Sequence, residues 1–497
     1  MSTFNKQAED VDSYRKIFKA TTLFGGVQVY QILISVIRSK FVAILLGTTG
    51  VGLMGLYLST LQFVQSITSL GLSQSAVRDV SEANGCGDVE RVGRIISAFR
   101  KLVWFTGLLG MGMVIILSPL LSKIAFGNHD YTIPFILLSC TLLINQLASG
   151  QGVILQGMRK LKDLAKASSI GATLGLIISV PIYYAIGIEG IVPTLILNSI
   201  TGFIISWCFA RKIRFQRMDL PVKEILQQGK WMIRMGVAMS LSGIFATAIS
   251  FAIRTFIMRQ GGTEAVGLYQ AGFVIINSYV GMVFTAIGTD FYPRLAAVNH
   301  DKMACRNVIS QQGEIATQIL APLLCGCILL MPFILRILYS DQFLDSGPYV
   351  LWCCPGMMFR LASWLIAYQF IAKAETRVYM VTEVVANCVY LLLSLIGYKC
   401  WGLTGLGIAF TVDYLIYFIL VLAIAVKRYE FSYSNSFIEI YTIQLFLIAG
   451  SLATIEFFDN TLKYWISAIL TLMSSLYAII ILDKKIGIIN LLKKLLN

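Results

Sequence analysis

ISVIRSKFVAILLGTTGVGL at 34–53 and ISFAIRTFIMRQGGTEAVGL at 249–268 share one pattern. Ile34-Ser35 and Ile249-Ser250 open the two stretches, and Arg38 and Arg254 follow at an offset of 216. Val51-Gly52-Leu53 then returns as Val266-Gly267-Leu268 at an offset of 215. Further out, Arg78 pairs with Arg294 at 216, and Leu147-Ala148-Ser149 with Leu361-Ala362-Ser363 at 214. Gly187-x-x-Gly190 pairs with Gly402-x-x-Gly405 at 215. Matches in one order at a near-constant offset are hard to reach by chance. The chain therefore reads as two copies of one unit.

The medium of that unit follows from composition. Of 497 residues, 57% are hydrophobic and 13% charged, and the mean hydropathy is +0.75. A soluble chain carries about 25% charged residues, so this one is built for a bilayer. A spanning helix needs about 20 apolar residues. Apolar segments lie at 20–46, 51–72, 102–122, 132–156, 167–187, 190–210, 231–257, 265–288, 315–338, 348–372, 378–398, 402–426, 439–457 and 463–482. The expected fold is an all-α polytopic membrane protein of about fourteen transmembrane helices, in two pseudo-symmetric six-helix bundles plus two C-terminal helices. Six is even, so both copies run the same way. Repeats of that kind belong to transporters that bind substrate between their halves.

The expected organisation is a cytoplasmic segment at 1–19, an N-lobe at 20–210, a cytoplasmic linker at 211–230, a C-lobe at 231–426, helices 13–14 at 427–482 and a basic amphipathic tail at 483–497. Within the linker, 221–230 (PVKEILQQGK) suits a short interfacial helix leading into helix 7. No polar stretch reaches the roughly 50 residues of a small domain, which excludes a soluble catalytic domain. The polar start and the long apolar run after it do not fit a cleavable signal peptide.

Basic residues orient the segments. With the N-terminus in the cytoplasm, cytoplasmic stretches hold 30 of the 40 Lys and Arg, and outer loops hold five. That excess follows the positive-inside rule and places both termini in the cytoplasm. The tail is expected on the inner membrane face. The net charge of +14 then reflects cytoplasmic loops, not nucleic acid. Ten cysteines and two histidines show no zinc spacing. The cysteines read as small apolar residues, and no metal or cofactor is expected.

Charges at membrane depth are costly and usually face a bundle interior or a cavity. Arg360 lies mid-way along helix 10 in PGMMFRLASWL. Arg38 and Arg254 hold matched places in helices 1 and 7, and Lys40 follows Arg38 two positions on. These four are candidates for a cationic cavity, and a guanidinium suits phosphate oxygens. Two acids are also deep, Glu383 in VYMVTEVVANCVY and Asp413 in FTVDYLIYF. They are candidates for proton or sodium coupling, or for structural pairing with an arginine. Asn198 stands where Asp413 would fall in the first copy. Gln28, Gln31, Gln62, Asn145, Gln146 and Asn277 are uncharged polar groups in helices 1, 2, 4 and 8. They suit either sugar hydroxyls or helix–helix bonding.

The stretch 38–83 (RSKFVAILLGTTGVGLMGLYLSTLQFVQSITSLGLSQSAVRDVSEA) resembles the start of O-antigen translocases. These are lipid-linked repeat-unit flippases of the polysaccharide transporter family, within the multidrug/oligosaccharidyl-lipid/polysaccharide exporter superfamily. Gly87-Asp88-Val89-Glu90-Arg91, Gln156-Gly157-Met158-Arg159-Lys160 and Asp290-Phe291-Tyr292-Pro293-Arg294-Leu295 fit the same pattern more loosely. The resemblance runs from helix 1 to about helix 12. It implies a fourteen-helix, two-lobed fold in the bacterial cytoplasmic membrane. It implies a short glycan on undecaprenyl diphosphate as substrate, moved from the inner to the outer leaflet for surface polysaccharide such as the O-antigen of lipopolysaccharide. Membrane lipids, a polysaccharide polymerase and a chain-length regulator are the candidate partners.

Three alternatives stay open. A lipid II flippase shares the superfamily. A cation-coupled multidrug exporter should have an acidic or aromatic cavity, whereas the deep residues here include more Arg and Lys than Asp and Glu. A membrane polymerase or ligase needs a large outer loop. The longest outer loop here is about ten residues, with only His129-Asp130 as a polar pair. The chain is therefore read as a transporter and not an enzyme.

Overall fold

The computed structural model describes residues 2–213, 215, 218, 221–373, 375–458 and 461–486. All regular elements among them are helical. Ten stretches are long and apolar enough to cross a membrane. In a bilayer every backbone N–H and C=O must be bonded within the protein, which an apolar segment does as a helix. The outward faces are correspondingly apolar, as Ile116, Tyr184 and Phe446 show at 78%, 82% and 73% exposure.

The chain forms two compact units that divide at Thr263/Glu264. The first contains α1 (Ser2–Thr68), α2 (Leu72–Gly85), α3 (Val89–Phe126), α4 (Thr132–Gly157), α5 (Leu161–Ile186), α6 (Ile191–Ala210) and the first arm of α7 (Val222–Val274). A 3-10 turn, Gly187–Gly190, joins α5 to α6. The second contains the end of α7, a π-helical turn (Ile275–Val280), α8 (Met282–Ala297), α9 (Lys302–Leu338), a 3-10 turn (Asp341–Ser346), α10 (Gly347–Ala372), α11 (Thr376–Tyr429), α12 (Asn435–Phe457) and α13 (Leu462–Ile486).

Four of the ten apolar stretches contain a break: Tyr30–Thr68, Leu161–Ala210, Ser240–Thr285 and Thr376–Tyr429. The breaks fall where the sequence separates segments 1 from 2, 5 from 6, 7 from 8 and 11 from 12. They also repeat. Gly47 has φ 64° and ψ −168°, and its counterpart in the second copy, Gly262, has φ 73° and ψ −174°. Gly187 and Gly402, matched in the same way, have φ 65° and 57° with the same ψ of −135°. Both pairs stand at the offset of 215. The repeat read from side chains is thus written in the backbone as well.

One stretch differs from expectation. The sequence predicts a cytoplasmic loop over 73–101, but these residues form α2 and the first turns of α3. Leu72, Ala76, Val80 and Ala83, at helical spacing, are buried against Ile96 and Phe99. Asp88 caps α3 by accepting from the Arg91 amide at 2.8 Å, and Arg91 pairs with Glu82 at 2.9 Å. With 38 residues, α3 is about 57 Å long at 1.5 Å per residue, well beyond the roughly 30 Å apolar core of a bilayer. The stretch 221–230 opens α7 directly, with no break from the segment that follows. Lys485, near the start of the basic tail, pairs with Glu314 of α9 at 2.6 Å. The rest of the tail, 487–497, lies outside the described residues.

The first arm of α7 packs within the first unit, although by sequence it opens the second copy. Met232 joins the core of Leu72, Phe99, Leu102 and Leu147. Phe63 stacks on Phe251 with ring centroids 5.6 Å apart, and Ser66 and Thr247 share a hydrogen bond of 2.9 Å. Arg259 donates to the Lys123 and Ile124 carbonyls at 3.3 Å, which satisfies the open end of α3. In the second unit a buried polar chain fixes the last two helices to α9. Gln444 donates to Gln318 at 2.6 Å and accepts from the Ser474 hydroxyl at 2.6 Å.

Gly47 and Gly262 occupy a backbone region that only glycine adopts readily, and a side chain there costs about 1–3 kcal/mol. Gly47→Ala and Gly262→Ala should each lower the melting temperature of the purified protein. Gly112→Ala should not, since a Cβ at Gly112 meets nothing within 4 Å. Melting by tryptophan fluorescence in detergent distinguishes the three.

Candidate functional site

The polar residues that the sequence places deepest in the second copy meet in the second unit. The α7–α8 junction winds as a π-helix over Ile275–Val280, closed by the Gly281 amide on the Ile276 carbonyl at 3.0 Å. Such bulges are frequent at functional sites. The bulge carries Asn277, whose amide donates to the Phe273 carbonyl at 3.3 Å. That bond turns its oxygen towards Arg360 of α10, which donates to it from Nη1 at 3.1 Å. The guanidinium lies 5.1 Å from the Phe284 ring centroid and 5.5 Å from that of Tyr414.

Arg360 is half-buried, and among the described residues no carboxylate lies within ion-pairing distance of it. Its Nη1 serves both Asn277 and the Met357 sulfur, the latter at 3.9 Å. A neutral amide and two ring faces therefore position the charge while leaving the rest of the fork open. Guanidinium over aromatic faces is favourable by about 0.5–2 kcal/mol according to desolvation.

The two acids stand close by. Glu383, in the first half of α11, accepts from the Tyr417 hydroxyl at 2.6 Å and feels the Arg360 charge. Asp413, in the second half of α11, is 5% exposed and feels the Glu383 charge. Its Oδ1 has no hydrogen-bond partner among the described residues. Asn277, Arg360, Glu383 and Asp413 thus form one cluster, with one positive and two negative groups when ionised. Arg360 and the two acids, separate candidates in the sequence, lie within electrostatic reach of one another.

The repeat exposes a difference. In the first unit Asn198 donates to Ser179 at 3.1 Å. The same places in the second copy, at the offset of 215, hold Asp413 and Ser394, and the Ser394 hydroxyl is also buried without a partner among the described residues. Sequence reasoning passes over Ser179, Ser394 and Tyr417. The offset of 215 would find the serines, and Tyr417 lies one helical turn after Asp413.

The remaining candidates lie in the first unit. Arg38 is half-buried on α1, near Tyr183 of α5. Arg254 is 4% exposed. Its Nη1 donates to the Ser250 carbonyl at 3.0 Å and to the hydroxyl of the same serine, so the guanidinium lies along its own helix. Lys40 and Gln31 are half-buried, and Gln62 and Asn145 are exposed. Gln146 is buried and donates to Thr106 at 3.1 Å, joining α4 to α3. The Gln28 side chain lies outside the described residues.

A family described as "Polysaccharide biosynthesis protein" matches residues 41–348. The chain belongs to that family. Its relatives include the lipid III flippases of Escherichia coli (strain K12) and Shigella flexneri. Each is 20% identical over 397 residues, covering 76% of this chain and 91% of the relative. Among solved structures, this family member is similar to an inward-facing multidrug resistance MATE transporter of the MOP superfamily, at TM-score 0.68 and 14% identity, over 81% of this chain and 94% of that one. It is also similar to the lipid II flippase MurJ in an inward closed conformation, at TM-score 0.64 and 14% identity, over 94% of this chain and 99% of that one. The family member therefore has the multi-pass fold of MOP-superfamily transporters.

The cluster predicts coupled energetics. Arg360→Ala leaves Glu383 and Asp413 facing each other without a cation and should lower the melting temperature. Glu383→Gln should be less destabilising in the Arg360→Ala background than alone, with a coupling of about 1 kcal/mol. A double-mutant cycle on thermal stability measures it.

Proposed function

We propose that this protein is a flippase for a glycan carried on a polyprenyl diphosphate, of the undecaprenyl type. It moves the repeat unit from the inner to the outer leaflet of the bacterial cytoplasmic membrane by alternating access, for surface polysaccharide such as O-antigen. Both termini face the cytoplasm in this reading. The observation that carries it is Arg360, a guanidinium in the middle of a membrane helix, positioned by a neutral amide and ring faces with part of its fork unengaged. Such a group suits a phosphate, which takes two parallel N–H bonds from guanidinium. The family and the lipid III flippase relatives support the same substrate class. Arg38, Lys40 and Arg254 are further candidate anion ligands, and Asn277 and the amides of Gln31 and Gln62 are candidate glycan contacts.

Glu383 and Asp413 supply the proposed coupling to protons or sodium. A ligand can shift a conformational equilibrium only through its differential affinity for the two states. A diphosphate at Arg360 alters the field on Glu383, so the anionic substrate and a coupling cation act on one another through that side chain. Two negative charges leaving a cell that is negative inside gain roughly 2.3 kcal/mol each per 100 mV. A cation moving the other way adds to that drive.

The test is transport of a fluorescent polyprenyl-diphosphate glycan in proteoliposomes, with protein abundance matched. Arg360→Ala should reduce transport by at least about tenfold, the loss of one charge-assisted contact of about 1.5–3 kcal/mol. Arg360→Lys should keep part of it, since a point charge attracts but lacks the fork. Full transport by Arg360→Ala would contradict the assignment. Coupling has its own readout. An imposed proton or sodium gradient should accelerate transport by the wild type but not by Glu383→Gln with Asp413→Asn. The drug-exporter reading draws on these two acids, and efflux of cationic dyes in the same vesicles, with no flipping of the glycan, would favour it.

A further inference from the structure

The first unit contains a cavity of about 740 Å³ between α1, α4 and α6. Its volume lies in the range of small-molecule sites. Its floor is aromatic. Tyr57 packs edge-on to Tyr131 with centroids 6.1 Å apart, and Tyr131 stacks on Phe126 at 3.9 Å. Its walls are largely apolar, and Leu137 and Leu197 among them are 51% and 41% exposed. Two carboxylates line it, Asp130 just before α4 and Glu189 in the turn before α6. No lysine or arginine is among its lining residues.

These features sit at different depths. The carboxylates lie in the turns just before α4 and α6, where a spanning segment begins. Leu137 and Leu197 lie five and six residues into their helices, about 8–9 Å further along at 1.5 Å per residue. The cavity therefore presents negative charge and ring faces at one end and hydrocarbon at the other. A diphosphate is repelled by both carboxylates, so this is not a second place for the anionic substrate. An ammonium is attracted by both carboxylates and by tyrosine faces. We propose that the cavity binds a phospholipid with a primary-amine head group, its ammonium between Asp130 and Glu189 and an acyl chain along Leu137 and Leu197.

Asn128 already donates to the Asp130 Oδ2 at 2.8 Å, which holds that carboxylate in place while its other oxygen remains available. Glu189 is exposed and pairs with no cation among the described residues, so an arriving ammonium displaces no ion pair.

Native mass spectrometry of the full chain, purified in detergent with equal phosphatidylethanolamine and phosphatidylglycerol, tests it. The wild type should retain phosphatidylethanolamine in preference to phosphatidylglycerol. Asp130→Asn with Glu189→Gln should weaken that retention about fivefold, as for an exposed ion pair, and abolish the preference. Leu137→Trp should release both lipids by filling the groove, with its melting temperature confirming the fold. Equal retention of the two lipids by the wild type, or an unchanged preference in the carboxylate variant, would overturn the proposal. Since that variant alters only exposed side chains, the test stands even if Leu137→Trp fails to fold.

Discussion

A guanidinium half-way along a membrane helix is costly in hydrocarbon, and the protein must supply its partners. At Arg360 the partners are the Asn277 oxygen and the faces of Phe284 and Tyr414. Much of the second unit follows from that requirement. The π-turn at Ile275–Val280 adds the residue that brings Asn277 to bear. The break in α11 at Trp401 and Gly402 folds that helix back, so that Glu383 and Asp413, far apart along it, can sense one another. A direct carboxylate bridge would satisfy the charge more simply, but it would also close the site to an anion.

The same constraint explains the polar residues that are not candidates for substrate. Gln146 on Thr106, Gln444 on Gln318, and Asn198 on Ser179 each pair one helix with another or close a hydroxyl's bonding. In hydrocarbon such bonds contribute modestly, about 0.6 kcal/mol on average, but they fix which faces meet. Glu314 with Lys485 does the same for α9 and α13, at the end of the helix where water is near. In the second copy, Asp413 Oδ1 and the Ser394 hydroxyl are buried without partners among the described residues. Their first-copy counterparts are bonded to each other.

Much of this is legible in the sequence, and the reasons for the remainder are physical. The offset of 215 is visible in Val51-Gly52-Leu53 and in GIEG against GLTG, and the paired breaks at Gly47/Gly262 and Gly187/Gly402 obey it. Arg360, Asn277, Glu383 and Asp413 are each conspicuous as polar groups in apolar runs. That they form one cluster is not, because Arg360 and Asn277 are 83 residues apart and no local pattern encodes the contact. Tyr417 escapes notice because tyrosine is unremarkable in a membrane helix. The bond from Arg254 to Ser250 is available from the spacing of four alone. Helix α2 is hard to see because its exposed face is polar and only Leu72, Ala76, Val80 and Ala83 mark the other.

In the proposed function the ligand is recognised through its phosphates by Arg360, in the middle of a membrane helix. Equilibrium binding to the purified protein of a polyprenyl-diphosphate glycan, compared with the same glycan on the polyprenyl alcohol, measures this most directly. Removing the diphosphate should weaken binding by at least about tenfold, the scale of one charge-assisted bond, and the difference should shrink in Arg360→Ala. Equal affinity of the wild type for the two ligands would contradict it.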